Sequence, residues 1–199
     1  MGYSASMVSC LFWFQETRKT TEMMLQGQTL AEIRAKAVEE NLYQVKAPER
    51  ASRIAGVTYK RMVALPETLR RQFVSTDLKT AKLILLLSMM KTDLLFYEFM
   101  HSTFRQSVIL GDKKLPDQAT AIFFDRMIAQ HAEVAAFSES AVKKLKQIYI
   151  KVLVDASVLS SAKERLILQP MIDYRLQNAV RQAAMMPYLS TLTGEDCDE

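Results

Sequence analysis

The stretch from residue 46 to residue 65, KAPERASRIAGVTYKRMVAL, has the spacing of an amphipathic helix. At about 100° per residue, its basic side chains fall within one sector about 100° wide. These side chains are Lys46, Arg50, Arg53, Lys60 and Arg61. Apolar and small side chains fill the adjoining sector. We therefore expect this helix to dock through its apolar face and to present a strip of cations on the other face.

A second helix with the same division of faces is predicted over residues 138–156, with Ser138 as its N-cap. Its lysines share a broad sector, and they are Lys143, Lys144, Lys146 and Lys151. Ile150 and Val154 fall inside that sector. We expect them either to contact a neighbouring subdomain or a partner, or to be partly exposed.

Helical spacing continues through nearly all of the remaining chain. A first helix is expected over residues 5–26, ending at Gly27, and the capping box Thr29-Leu30-Ala31-Glu32 begins the next one. Pro48 suits the first turn of the 46–65 helix. Further helices are predicted over 66–73, 77–108 (as one helix or a pair), 116–130 and 171–186, the last stopped by Pro187.

These patterns predict an all-α fold. With 49% hydrophobic residues the chain can bury a substantial core, and five Gly and five Pro leave little material for a turn-rich β fold. We expect two small helical subdomains, residues 1–75 and residues 76–199, the second ending in a short acidic tail. One short strand or hairpin is possible near residues 163–169.

The charge balance favours a polyanionic partner. Removing the four carboxylates of the tail, residues 195–199, from the net charge of +4 leaves +8 on residues 1–194. Cys10 and Cys197 form no metal-binding or disulfide pattern, which predicts a cytoplasmic protein. The most apolar run, Leu83–Met90, is far shorter than the roughly 20 residues of a spanning helix, so membrane insertion is not expected.

No catalytic apparatus is visible in the sequence. There is no GxxxxGK[ST] motif, and five scattered glycines make no GxGxxG loop. His101 and His131 lack helical partners for chelation, and Ser138-Glu139-Ser140 is better explained as capping than as a nucleophile with its base. The sequence therefore predicts a protein that is not an enzyme, with no cofactor, no metal and no small-molecule substrate.

Several blocks of the chain resemble the BrxA family of bacteriophage-exclusion (BREX) defence systems. They are YSASMVSCLFWFQETRKTTEMMLQG at residues 3–27, the 46–65 stretch with Pro48, Arg53-Ile54 and Arg61, LLFYEFM at 94–100, FSESAVKKLKQIYIKVLVDASVL at 137–159, and Leu168-Gln169-Pro170. The chain departs from the family pattern at Ser157, where an Ala-Gly pair is usual. None of these blocks is a catalytic motif.

The resemblance implies a compact, two-subdomain helical fold similar to that of the NusB antitermination protein. It also implies a non-enzymatic accessory role beside other BREX proteins, and binding to double-stranded DNA. The two basic faces agree with DNA binding, and Arg70 and Arg71 would extend the basic surface.

Two alternatives stay open at this point. The chain could be an adaptor between defence proteins, since Phe12-Trp13-Phe14, Ile150, Val154 and twelve methionines offer apolar or adaptable surface. It could also bind RNA, by analogy with the NusB-like fold alone.

Overall fold

The computed structural model describes residues 2–195, and in that range the fold is built from helices. In chain order they are α1 Phe14–Leu25, α2 Leu30–Glu39, α3 Pro48–Val63, α4 Glu67–Ser75, α5 Leu78–Thr92, α6 Leu94–Phe99, α7 Arg105–Ile109, α8 Ala119–Gln130, α9 Ala132–Ala135, α10 Glu139–Asp155, α11 Tyr174–Gln182 and α12 Met186–Thr193. A 3-10 turn at Ser6–Ser9 precedes α1, and a π-helical turn at Met100–Phe104 joins α6 to α7. The predicted all-α class is confirmed.

Three helix starts with local signals are where the sequence predicts them, whereas the helix predicted from Pro116 begins at Ala119. The Thr29 hydroxyl accepts from the Glu32 N–H at 3.3 Å while Glu32 accepts from the Thr29 N–H at 2.7 Å, which completes the capping box of α2. Pro48 occupies the first turn of α3, and Ser138 caps α10 by accepting from the Ala141 N–H at 3.2 Å. These starts place both basic helices in their predicted registers.

The predicted first helix over residues 5–26 is wrong in its first half. The 3-10 turn ends at Ser9, residues 10–13 are irregular, and α1 begins only at Phe14. Trp13 has a φ of 49°, a left-handed conformation that a right-handed helix cannot continue through. The carbonyls of Leu11 and Phe12 accept instead from Arg61, whose side chain comes from α3. We call residues 6–13 the N-terminal segment.

The predicted last helix over residues 171–186 is wrong at both ends, because the helix there covers only Tyr174–Gln182 and Pro187 begins a further helix rather than stopping this one. The chain forms α11, capped by Asp173, which accepts from the Leu176 N–H at 2.7 Å. Pro187 then sits in the first turn of α12. Proline is tolerated there because the first N–H groups of a helix have no intrahelical acceptor.

The expected short strand takes the form of isolated antiparallel bridges. Leu166 bridges to Lys114, and Ile167 bridges to Leu159. The Leu115 N–H donates to the Arg165 carbonyl at 2.9 Å, which ties the loop before α8 to the loop before α11.

Buried apolar side chains form two clusters. The larger one draws on the N-terminal segment and on the helices from α3 to α12, with Tyr149 set among the rings of Phe96, Phe99 and Phe124 at centroid distances of 5.0, 5.2 and 5.5 Å. The smaller cluster is formed by the last residue of the N-terminal segment, by α1, α2 and α3, and by the loop between α2 and α3; its members are Trp13, Met23, Ile33, Ala37, Tyr43, Ala51, Ile54 and Ala55. Helix α3 contributes Ile54 to the smaller cluster and Met62 to the larger one. The division of the chain near residue 75 stays a prediction.

The turn after α10 contains a residue under backbone strain. Ser157 has a φ of 63°, and the Val158 N–H donates to the Leu153 carbonyl at 3.0 Å, as in a Schellman motif. Glycine is favoured at this position because a Cβ crowds the neighbouring carbonyl in left-handed backbone. The Ser157 hydroxyl accepts a hydrogen bond from Lys82 at 2.9 Å on the surface.

Replacing Ser157 with glycine should therefore stabilise the protein. We expect Ser157→Gly to raise the free energy of unfolding by about 1 kcal/mol, measured by urea denaturation. Ser157→Ala is the matched control, because it removes the hydroxyl but keeps the Cβ in the strained conformation. A gain in the alanine variant equal to that in the glycine variant would contradict the backbone explanation.

Candidate nucleic-acid interface

The cationic faces predicted on the 46–65 and 138–156 helices, which we call the two basic stripes, contribute residues to one cleft. Arg50 and Arg53 reach it from α3 and Lys144 reaches it from α10, although the two helices are far apart in sequence. The other lining residues belong to the N-terminal segment, and they are Val8, Ser9, Leu11 and Trp13. The cleft has a volume of about 320 Å³. We call it the basic cleft.

The N-terminal segment brings the two stripes together. Its 3-10 turn at Ser6–Ser9 packs against α10, while the carbonyls of residues 10–12 are bound by Arg61 of α3. The segment therefore stands between the two basic helices. Neither stripe alone predicts this convergence, because it depends on a contact between distant parts of the chain.

The three cations of the basic cleft are available to a ligand. Arg50, Arg53 and Lys144 are exposed, and none of them lies within ion-pair distance of a carboxylate in the described part of the chain. The same holds for three neighbours on the two stripes, and these are Lys46, Lys60 and Lys143. A concave surface with several uncompensated cations concentrates positive potential and attracts anions.

Three other predicted cations, Arg71, Lys146 and Lys151, lie outside the cleft and have partners. Arg71 pairs with Glu67 on α4, and Lys151 pairs with Asp155 on α10 at 2.9 Å. Lys146 lies 3.8 Å from Asp125 of α8, with its ammonium 6.0 Å from the ring of Phe124. Surface pairs of this kind contribute little to stability, but each carboxylate cancels the local positive charge. Arg70 is only half-buried and lines none of the cleft.

Arg61 corrects the prediction that all five basic residues of the 46–65 helix face solvent. Its side chain is only 4% exposed. The guanidinium donates to the carbonyls of Leu11, Phe12 and Cys10 at 2.9, 3.1 and 3.3 Å. Burial lowers its pKa to about 10, so it stays protonated at neutral pH. The Arg61 side chain is therefore unavailable to a phosphate. Arg61 lies at the edge of the basic sector of the helix, and that edge faces the protein interior.

The consecutive aromatics are core residues. Phe12 packs in the larger cluster and Trp13 in the smaller, and Phe14 meets Phe73 edge-on at 5.6 Å. Ile150 is buried and Val154 packs partly against the larger cluster, which realises the expected contact with neighbouring elements. These residues therefore do not supply the exposed apolar surface that motivated the adaptor alternative.

A larger and less charged groove lies elsewhere. It has a volume of about 620 Å³ and runs between the start of α5 and the loop before α11, with Leu83, Leu168, Pro170, Met171 and Ile172 among its lining residues. Met171 is 94% exposed. We call it the apolar groove. Its signal in the sequence is an apolar run with a proline in a non-helical stretch, and we made no functional prediction from that run.

Comparison with known proteins identifies the family. The family model described as BrxA matches residues 1–184. The chain belongs to the BrxA family. It is 32% identical over 194 residues to the BREX protein BrxA of Bacillus cereus strain H3081.97, covering 97% of each chain. An uncharacterized protein from Magnetospirillum magneticum shares the fold, with a TM-score of 0.83 and 16% identity over 97% of this chain and 99% of that one.

The residues that carried the BrxA resemblance have different roles in the structure. Arg53 lines the basic cleft, whereas Pro48 begins α3 and Arg61 holds the N-terminal segment. A family block therefore mixes a residue that lines the basic cleft with residues that shape the surrounding structure. Among the helices between residues 2 and 195 of this BrxA-family chain, none is long and apolar enough to cross a membrane.

Asp93 fixes the other end of the N-terminal segment. It is buried between α5 and α6, where one oxygen accepts from the Phe96 N–H at 2.9 Å and the other accepts from the Ser6 hydroxyl at 3.1 Å. Burial raises the pKa of Asp93, and these hydrogen bonds and the charge of Arg61 only partly oppose that effect. The carboxylate thus costs free energy in the folded protein.

This cost predicts a pH dependence. Because the folded-state pKa is raised, the folded protein binds more protons than the unfolded chain between the ordinary value of 3.8 and the folded value. This contribution to the free energy of unfolding therefore falls as pH rises through that interval. Asp93→Asn keeps the helix cap but cannot ionise. We expect it to gain stability relative to wild type as pH rises, measured by urea denaturation from pH 3 to pH 7; parallel curves would contradict the burial effect.

Proposed function

We propose that this BrxA-family protein is a non-enzymatic component of a BREX phage-defence system that binds double-stranded DNA through its phosphates. The basic cleft is the centre of the binding surface. One observation carries the proposal, namely that Arg50, Arg53 and Lys144 converge from two helices and lack carboxylate partners among residues 2–195. Lys46, Lys60 and Lys143 extend the surface along the same helices.

The chemistry of the cleft suits a phosphate backbone. Arginine presents a planar fork of donors that matches phosphate oxygens, and lysine adds a compact charge. Phosphate contacts hold a protein on DNA without selecting a sequence. A surface of this kind should bind duplexes with a dissociation constant on the order of 10⁻⁴ to 10⁻⁶ M at physiological salt.

The salt dependence of binding tests which cations take part. Each phosphate contact contributes about −0.9 to the slope of log K against log salt concentration on duplex DNA. Arg50→Ala, Arg53→Ala and Lys144→Ala should each make that slope shallower by about 0.9, and the triple variant by about 2.7. Fluorescence anisotropy of a labelled duplex, titrated at several salt concentrations, measures the slope.

Two variants serve as controls in that titration. Lys151→Ala removes a lysine from the same helix as Lys144, and Arg71→Ala removes a paired arginine outside the cleft. Both should keep the wild-type slope. A triple variant that is folded by circular dichroism and binds like wild type would remove the basic cleft from the proposal. Competition between duplex DNA and duplex RNA of equal length separates this proposal from RNA binding.

The apolar groove supports a second candidate function, that of an adaptor between BREX proteins. Met171 projects into solvent at its edge, and Tyr174 is exposed at the start of the neighbouring helix α11. Exposed apolar side chains beside a groove are typical of protein–protein contacts.

A nuclease-treated pull-down tests the adaptor function. If the groove binds another BREX protein, Met171→Glu should abolish capture of products of the same operon, because burying an unpaired carboxylate in an apolar contact is costly. Ile122→Glu is the matched control, since it places the same charge at an exposed apolar position on α8. Capture that persists in Met171→Glu, or that disappears with nuclease in wild type, would count against the adaptor function.

A further inference from the structure

We propose that Arg61 is a positioning residue for the basic cleft: without touching the ligand, it holds residues 10–12 so that Leu11 and Trp13 form a fixed apolar wall between the cations of α3 and α10. This inference rests on the proposed nucleic-acid function and deepens it. It assigns a role to a conspicuous arginine that lies outside the cleft lining.

The hydrogen bonds of Arg61 explain why arginine is needed. One terminal nitrogen donates to the carbonyls of Leu11 and Phe12, and the other donates to the carbonyl of Cys10. Three consecutive carbonyls are thus bound by one rigid, planar group. A lysine carries the same charge on a single flexible nitrogen and cannot reproduce the fork.

The backbone next to this clamp is strained. Trp13 is a bulky residue in left-handed conformation, with a φ of 49°. Such strain persists only when the surroundings determine it from several sides. Arg61 binds the preceding carbonyl of Phe12, while the carbonyl of Trp13 accepts from the N–H and the hydroxyl of Thr17 at 2.9 and 2.6 Å. The indole is buried in the smaller cluster, which completes the constraint.

The segment is also fixed at its other end. The Ser6 hydroxyl donates to Asp93, and the 3-10 turn that begins at Ser6 packs against α10. Residues 6–13 therefore lie between two anchors, Asp93 at the front and Arg61 at the back. Between them, Val8, Ser9 and Leu11 face the cleft.

A fixed wall favours binding because the cations are already placed when the ligand arrives. Arg50, Arg53 and Lys144 repel each other, and a loosened segment would let them separate. If only a fraction of the molecules has the competent arrangement, the apparent dissociation constant rises by the inverse of that fraction. Loss of the clamp should thus weaken binding even though no contact to the ligand is removed.

The experiment compares Arg61→Lys and Arg61→Met with wild type, using a fluorescein-labelled DNA duplex as the probe. Trp13 is the only tryptophan in the chain, so its emission reports on the wall directly. We expect Arg61→Lys to bind the duplex about tenfold more weakly, which corresponds to a competent fraction of about one tenth. Its tryptophan emission should shift to longer wavelength and be quenched more by acrylamide. Arg61→Met should bind the duplex still more weakly than Arg61→Lys, and its tryptophan emission should change more.

The matched control is Leu192→Ala, which destabilises the larger cluster in α12, away from the lining of the cleft. Measured at a temperature where every variant is folded, it should keep wild-type affinity and wild-type tryptophan emission. Arg61→Lys retains the positive charge, so weakened binding in that variant separates positioning from a direct electrostatic effect.

Ser6→Ala provides a second route if the Arg61 variants do not fold. It removes the hydrogen bond to Asp93 at an exposed residue and should weaken duplex binding about threefold, with a smaller change in tryptophan emission.

Wild-type affinity in a folded Arg61→Lys, or in Ser6→Ala where Arg61→Lys does not fold, would overturn the positioning role. The proposed function would stand in that case if the cleft variants still lose affinity. No duplex binding by the wild-type protein would overturn both.

Discussion

The three hydrogen bonds from Arg61 to the carbonyls of residues 10–12 are the interaction on which the arrangement of this chain depends. A guanidinium buried to this degree is tolerated only when its donors are satisfied, since an unpaired buried charge is costly. The carbonyls of residues 10–12 accept from Arg61, Trp13 is left-handed, α1 starts only at Phe14, and the preceding residues cross from α3 to α10. One contact thereby sets a helix start, a left-handed residue and one wall of the basic cleft.

The parts of the fold that could be predicted from sequence depend on neighbours within a few residues. The Thr29–Glu32 capping box, Pro48 and Ser138 each act on the turn that contains them. The break before α1 could not be predicted in this way, because its partner lies about 50 residues away in sequence. The prediction that Pro187 stops a helix was wrong for another reason. Proline is compatible both with the end of one helix and with the first turn of the next, and only packing decides between them.

In the candidate site, too, the features that could be predicted from sequence are those that depend on near neighbours in the chain. The helical period correctly groups Arg50 and Arg53 on an exposed face, but it cannot distinguish them from Arg61, which lies on the boundary of that face. The ion pairs of Arg71 and Lys151 were accessible from sequence, since Glu67 and Asp155 stand four residues away on the same helices. If carboxylates four residues away are considered for each cation of a basic stripe, the cations that already have a partner can be excluded from the candidate site. The convergence of α3 with α10 is tertiary information.

The composition of the basic cleft limits the kind of recognition it can perform. Single-strand binders stack bases on exposed aromatic faces interleaved with cations. Here the aromatic residue of the cleft, Trp13, has its indole buried and only 9% of its surface exposed, so it can contribute a wall but no stacking platform. The side chains that line the cleft from the described part of the chain include no Asn or Gln amide, and its charged groups are two arginines and a lysine beside an apolar wall. Cations can hold phosphates without contacting base edges. This composition favours contact with a nucleic-acid backbone over recognition of bases, which agrees with the proposed function.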